Sequence, residues 1–308
     1  MAPSPAPWPI ALARIEGALP FLDDDLAASL ALATLRRLWR VHVRDFTFEN
    51  IGIEHDPGLE SAELMRSWYG EERRDMLSWI SRRGPPPLAC AARIALKAKG
   101  VSESFTSSFD PADRALERLD ALLPAADPLA ALAEWIHQLR EDETPFLEGG
   151  SEFVEFEGHV FSRFAPRGAA WAASLAAALR PQLFGLGAAP LALAGLAPRG
   201  LFKEILESPL PSLLSTAIGS AAAAVSSDLS AMRQALHRRD LKLRGLYASS
   251  HAPHVWQLIS ALGPLTRAEL ARALEVTPRT ASLAVVALES ANLVRLRPAD
   301  KVILSACG

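Results

Sequence analysis

Leu265-Thr266-Arg267-Ala268-Glu269-Leu270-Ala271-Arg272-Ala273-Leu274-Glu275-Val276-Thr277-Pro278-Arg279-Thr280-Ala281-Ser282 holds two helix-start signals within one short run. At the first, the Thr266 hydroxyl can accept from the free amide of Glu269 while the Glu269 carboxylate reaches back, the reciprocal pattern of a capping box. Leu270, Ala273 and Leu274 then recur at helical spacing, and Ala271 is small enough to let a second helix approach. At the second, Thr277 is a hydroxyl cap and Pro278 follows it, where a fixed φ and a missing amide are harmless. The run therefore predicts two helices joined by a tight turn, the first ending near Leu274. Ala281, Val285, Leu288 and Val286 are expected to face the core. Arg279, Thr280 and Ser282 are expected to project outward near the start of the second helix.

Downstream of Ala291 the period changes. Leu293, Arg295 and Arg297 fall on one parity and Val294 and Leu296 on the other; Pro298-Ala299-Asp300 breaks the run and Val302-Ile303-Leu304 resumes it. Two short strands around a turn bearing Arg297 and Lys301 are expected, with an apolar helix from about His254 to Leu262 upstream. By its Leu-Thr-x-x-Glu-Leu-Ala-x-x-Leu-x-Val-Thr-x-x-Thr pattern, the segment from His254 to Ser305 resembles the winged helix-turn-helix superfamily of bacterial regulators. The resemblance implies double-stranded DNA as partner. Arg279 and Thr280 would then lie at base edges or phosphates, Thr277 and Ser282 would donate to the backbone, and Arg267, Arg297 and Lys301 would hold phosphates. Glu275 departs from the pattern. It stands where the family commonly has glycine, at a position that often needs a positive φ, which costs a residue with a Cβ about 1 kcal/mol.

Charge is divided along the chain. Residues 1–165 carry 17 basic and 27 acidic side chains, and residues 166–308 carry 15 and 8, within an overall net charge of −3. That balance opposes indiscriminate coating of nucleic acid. From His254 onward there are six Lys or Arg against four acids, so the terminal module is only mildly basic. Just before it, Arg233, His237, Arg238, Arg239, Lys242 and Arg244 cluster where Leu229, Met232, Leu236, Leu243 and Leu246 suggest an amphipathic helix. Such a helix can sit over phosphates or simply be a solvated face.

The remainder reads as helical. Apolar spacing at Leu12, Ile15, Leu19 and Leu22, at Leu32, Leu35, Leu38 and Trp39, and at Leu116, Leu119, Leu122 and Leu123 predicts a bundle of five or six helices up to about Leu139. Breaks are expected at Asp56-Pro57-Gly58, at Gly84-Pro85-Pro86-Pro87 and between Pro124 and Pro128. Trp39, Trp68, Trp79, Trp135 and Trp171 are expected to be core residues. Alternating aromatics around Glu157-Gly158 suggest a small hairpin or extended segment. The fold class is thus mainly α: an acidic helical region over 1–165, an Ala-rich connector with a basic helix over 166–250, and a winged helix-turn-helix over 251–308. The whole also resembles, more distantly, alphaproteobacterial helix-turn-helix proteins of unknown function with a Fic-like helical N-terminal region. The Fic motif His-Pro-Phe-x-x-Gly-Asn-Gly-Arg is missing, so that likeness implies no nucleotidyl transfer.

Two uncharged stretches, Pro181 to Pro198 and Ser208 to Ser227, are better explained as buried segments than as membrane spans. Only Cys90 and Cys307 occur, so no disulfide framework or cysteine zinc site is indicated, and a cytoplasmic protein is expected. Gly185-Leu186-Gly187-Ala188-Ala189-Pro190 imitates a dinucleotide loop but ends in proline with no convincing strand before it. No phosphate-binding Gly-x-x-x-x-Gly-Lys-Ser/Thr, no Gly-x-Ser-x-Gly and no His-Glu-x-x-His sequence is present. Glu49, Glu54, His55 and Asp56 form the densest polar group, at spacings that fit no standard site. Asp23-Asp24-Asp25 and Glu141-Asp142-Glu143 read as helix-terminal or loop charges. No catalytic residue, metal or cofactor is expected. The reading is a DNA-binding regulator, expected to dimerise because one winged helix spans few base pairs, with an N-terminal region that oligomerises or responds to a small-molecule or protein effector. A module that docks on a protein partner, and an enzyme tethered by the terminal module, are the alternatives.

Overall fold

The computed structural model describes residues 8–44, 49–50, 73–102, 109–141, 151–156, 159–164, 169–186, 191–202, 205–206, 208–245, 250–297 and 301–304. The molecule is mainly helical. Its N-terminal helices are α1 (Trp8–Ala18), α2 (Asp24–Arg44), α3 (73–83), α4 (Pro86–Ala98), α5 (Asp110–Ala121) and α6 (Pro128–Glu141). Gly84-Pro85 separates α3 from α4, and residues 122–127 separate α5 from α6, at two of the breaks expected from sequence; the third, Asp56-Pro57-Gly58, lies outside the described residues. Asp23 caps α2 by accepting from the Leu26 amide at 2.7 Å, and Asp127 does the same for the start of α6.

Helix α7 (Ala169–Ala178) and the long α8 (Leu210–Lys242) follow. Helix α8 packs on α1, α2 and α6, and α5 packs on α7. It is the one described helix long and apolar enough to cross a membrane by length and composition. Its inward side, including Leu214, Ile218, Ala222 and Val225, lies in the core, as a helix inside a bundle requires. The aromatic centre is tightly held. Trp79 and Trp135 are fully buried; their indole N–H groups donate to Asp113 Oδ1 at 3.1 Å and to the Ala115 carbonyl at 2.8 Å. Phe109 sits between Trp79 and Trp171, with ring centroids at 5.9 and 5.3 Å. Trp39 is half-buried, and Trp68 is outside the described residues.

Strands β2 (Ser151–Phe156) and β3 (His159–Phe164) pair antiparallel from Ser151↔Phe164 to Phe156↔His159, where the alternating aromatics predict a hairpin. The short β1 (Glu49–Asn50) adds to the other edge of β3.

The C-terminal part runs α9 (Ala252–Leu262), β4 (Leu265–Thr266), α10 (Arg267–Leu274), α11 (Pro278–Ser290), β5 (Val294–Arg297) and β6 (Lys301–Leu304). The three strands form an antiparallel sheet in the order β4-β6-β5, with Leu296↔Val302 and Leu265↔Val302 pairing across the central strand. Leu270, Ala281, Val285, Leu288, Val294 and Val302 fill the space between these helices and the sheet. Helices α9 and α10 also pack outward, α9 against α2 and α10 against α4, so one apolar core continues from the N-terminal helices into this part.

Candidate nucleic-acid interface

The junction between α10 and α11 is built by local chemistry. Thr266 Oγ1 accepts from the Glu269 amide at 3.2 Å, while Glu269 Oε2 accepts from the Thr266 amide at 2.7 Å, so both halves of the capping box are made. Helix α10 ends when Glu275 turns into the left-handed region at φ 53°. The Val276 amide then bonds the Ala271 carbonyl at 3.0 Å and closes the end of the helix. Here the strained position expected from the glycine departure is real, and Glu275 occupies it. Thr277 Oγ1 accepts from the Thr280 amide at 3.1 Å and Pro278 opens α11. Asn292, a residue that tolerates the left-handed region, ends that helix at φ 54° and leads into β5.

These turns orient α11. Ala281, Ala284, Val285 and Leu288 point inward against α9 and α10, leaving Arg279, Leu283, Val286 and Ser290 as one exposed stripe on the far side. Val286, expected in the core, is 52% exposed, and Ala284 takes the inward place instead. The reason is the helical repeat: with Ala281, Val285 and Leu288 on the inner face, residue 284 falls toward the core and residue 286 turns outward.

Of the sequence-derived residues, Thr277 and Arg279 are exposed, and Thr280 and Ser282 are half-exposed beside them at the start of α11. Thr280 Oγ1 is engaged with Thr277 Oγ1 at 2.9 Å. Arg267, in the first turn of α10, is half-buried and has an interaction within the chain. Arg297 and Lys301 face each other in register across β5 and β6 at the closed end of the hairpin. Arg295, exposed on β5, adds a cation that the sequence placed on a strand but not at the site. The exposed apolar pair Leu283 and Val286 was not foreseen either. A helix with Ala, Leu and Val on nearly all sides gives no clean moment from which to choose its outer face.

The opposite side of the same module is closed by charge. Lys97 and Lys99, at the end of α4, pair with Glu275 at 2.8 Å and with Glu269 at 2.6 Å, and the Arg272 guanidinium donates twice to the Ala98 carbonyl at 3.0 and 3.1 Å. Burial would raise the Glu269 carboxyl, but the Lys99 ammonium and the Thr266 amide outweigh it and hold the group below the usual carboxylate range. Gln257 of α9 donates to the Asp25 carbonyl at 2.9 Å and to Ser29 Oγ at 2.8 Å. Of the basic cluster on α8, Arg233, His237, Arg238, Lys242 and Arg244 are exposed, but Arg239 is not. It is 3% exposed, donates to Asp25 and Asp240 at 2.7 Å, and lies over the Trp256 ring at 5.6 Å. A guanidinium counted with the solvated cations is thus a tie between α2, α8 and α9.

The remaining polar groups picked out in the sequence are described only in part. Asp23 is a cap, Asp25 pairs with Arg239, and Glu49 lies on β1; Glu54, His55 and Asp56 are outside the described residues. No group of three or more metal-ligating side chains occurs among the described residues. No known family model and none of the curated proteins matches the chain.

Proposed function

We propose that the C-terminal part is a winged helix-turn-helix that binds double-stranded DNA, in a transcriptional regulator whose N-terminal helices set its oligomeric state or its response to an effector. The observation that carries this reading is the free N-terminal end of α11. Thr277, Pro278 and Arg279 are exposed there, ahead of an outward face on a helix that packs against α9, α10 and β5. A helix of this kind can enter a major groove with its first turn at the base edges. The β5–β6 hairpin ends in Arg297 and Lys301, suited to phosphates on the flank. The exposed cations of α8 add a second source of phosphate contacts.

Fluorescence anisotropy on random and genomic duplex pools at two salt concentrations tests it, with the wild type compared to the triple variant Arg279→Ala, Arg297→Ala, Lys301→Ala. Salt-sensitive binding that the variant loses is expected. Arg279→Ala alone should cost about 1–3 kcal/mol on the preferred sequence and little on random DNA, whereas Lys301→Ala should weaken all sequences alike. Equal loss on every sequence for Arg279→Ala would remove its base-reading role.

A second reading has its own observation. Leu283 and Val286 place an apolar centre on the outward stripe of α11, which suits thymine methyl groups but also a protein partner. Absence of DNA retention at low salt would favour the protein partner.

A further inference from the structure

A cavity of about 580 Å³ lies at the seam between the N-terminal helices and the C-terminal module. Trp39 of α2, Leu77 of α3 and Ala95 of α4 wall one side, and Leu262, Pro264 and Leu265, the link from α9 to β4, wall the other. Its charged lining has one sign: Arg73, Arg74 and Lys99, with no carboxylate among the described residues that line it.

Arg73 is the unusual member. It is half-buried, has no carboxylate partner among the described residues, and is loaded further by Arg36 nearby. Burial, and then the repulsion of Arg36, push its pKa below the ordinary guanidinium value, yet it stays charged at neutral pH. A cation removed from water without a counter-charge is costly, and interiors normally supply a partner. Contrast Arg239, more deeply buried, with two carboxylates and an aromatic face. The walls around Arg73 are apolar, and the volume lies within the range of small-molecule sites.

We infer that this cavity binds a small organic anion with an apolar body, of the aryl or medium-chain carboxylate class, its carboxylate on Arg73 and Lys99 and its apolar part against Trp39, Leu77 and Leu265. The planar guanidinium suits a carboxylate that accepts two hydrogen bonds. Lys99 also holds Glu269, the carboxylate of the α10 capping box, so an anion drawing on Lys99 competes with the contact that seats α10 on α4. The site is defined without reference to DNA, and its test is read without DNA.

The full chain is titrated by calorimetry and followed by thermal unfolding with naphthoate and octanoate, with their neutral amides, and with inorganic phosphate. Both carboxylates are expected to bind saturably and raise Tm, the amides to bind at least about tenfold more weakly, and phosphate alone not to raise Tm. Arg73→Gln should weaken carboxylate binding about tenfold or more while leaving the ligand-free Tm close to that of the wild type, since Arg73 is only half-buried and no described carboxylate depends on it. Lys99→Gln, which also gives up the pair with Glu269, should weaken binding several-fold. The inference is overturned if neither carboxylate binds, if the amides bind as tightly, if phosphate alone stabilises as well, or if both variants keep wild-type affinity.

Discussion

Helices α10 and α11 are neighbours packed on each other, yet they have opposite environments. Helix α10 turns its charged residues toward α4, where Lys97, Lys99 and the Ala98 carbonyl meet Glu275, Glu269 and Arg272. Helix α11 turns Arg279, Leu283, Val286 and Ser290 away from the rest of the chain. The difference shows how a two-helix unit is given one side that is attached to the rest of the chain and one that is left exposed: the long-range polar contacts made by α10 have no counterpart on the outward stripe of α11 among the described residues. An exposed stripe that the fold does not use for its own stability is free to be used for a partner.

The sharpest way to break that comparison lies within α11 itself. Leu288 is fully buried and Leu283 is 64% exposed. Leu288→Ala should cost about 2–5 kcal/mol by urea unfolding, whereas Leu283→Ala should stay within about 0.5 kcal/mol. If Leu283→Ala destabilised the chain comparably, the outward stripe would be a packing surface and its role in recognition would fall. Any loss of partner binding by a well-folded Leu283→Ala would define what the apolar centre touches.

The attachment side is tested next, by pH. The Glu269 carboxyl is held below its unfolded value of about 4.3. Its contribution is therefore fully present above that pH and is lost as pH falls through the lower folded value. Glu269→Gln should reduce stability by up to about 1 kcal/mol at neutral pH, chiefly by removing the charge that faces Lys99, since the amide oxygen of glutamine can still accept from the Thr266 amide. The difference from wild type should shrink below roughly pH 4, as the wild-type carboxyl gains its own proton. A difference independent of pH from 3 to 7 would mean that charge does not hold this seam.

The smallest effect is expected at Glu275. Glu275→Gly relieves a left-handed residue, a gain of about 1 kcal/mol, at the expense of an exposed ion pair with Lys97 that is worth at most about 0.5 kcal/mol. A net stabilisation of about half a kcal/mol is expected, while Glu275→Ala, which keeps the strain and loses the pair, should be slightly destabilising. If Glu275→Gly were the weaker of the two, the Lys97 contact would be the main reason for the residue.

What was legible in the sequence was what depends on neighbours along the chain. Thr266 with Glu269, Thr277 with Pro278, and the shift to alternation after Ala291 each act over a few residues, and each marks a boundary the structure has. The strain at Glu275 was legible for the same reason. Facing directions set by distant partners were not. Arg239 belongs by sequence to a solvated basic cluster, and only Asp25 in α2 and Trp256 in α9 turn it inward. Val286 is apolar and adjoins core residue Val285, but the inner face fixed by Ala281, Val285 and Leu288 turns it outward and takes Ala284 instead. Nor could Arg73 be singled out beside Arg74, because the cavity it lines exists only once α2, α4 and the link to β4 come together.

The seating of α9 on α2 also bears on how the chain comes apart. Val255, Trp256, Leu258 and Ile259 are almost wholly withdrawn from water, and Gln257 is bonded to the first turns of α2 more than two hundred residues earlier. A fragment beginning at Ala252 would bare part of that surface and orphan that amide. Heating should therefore melt the terminal helices and the first ones in a single step, with no folded half surviving the other: the outward face of α11 exists only while α2 and α9 stay packed together.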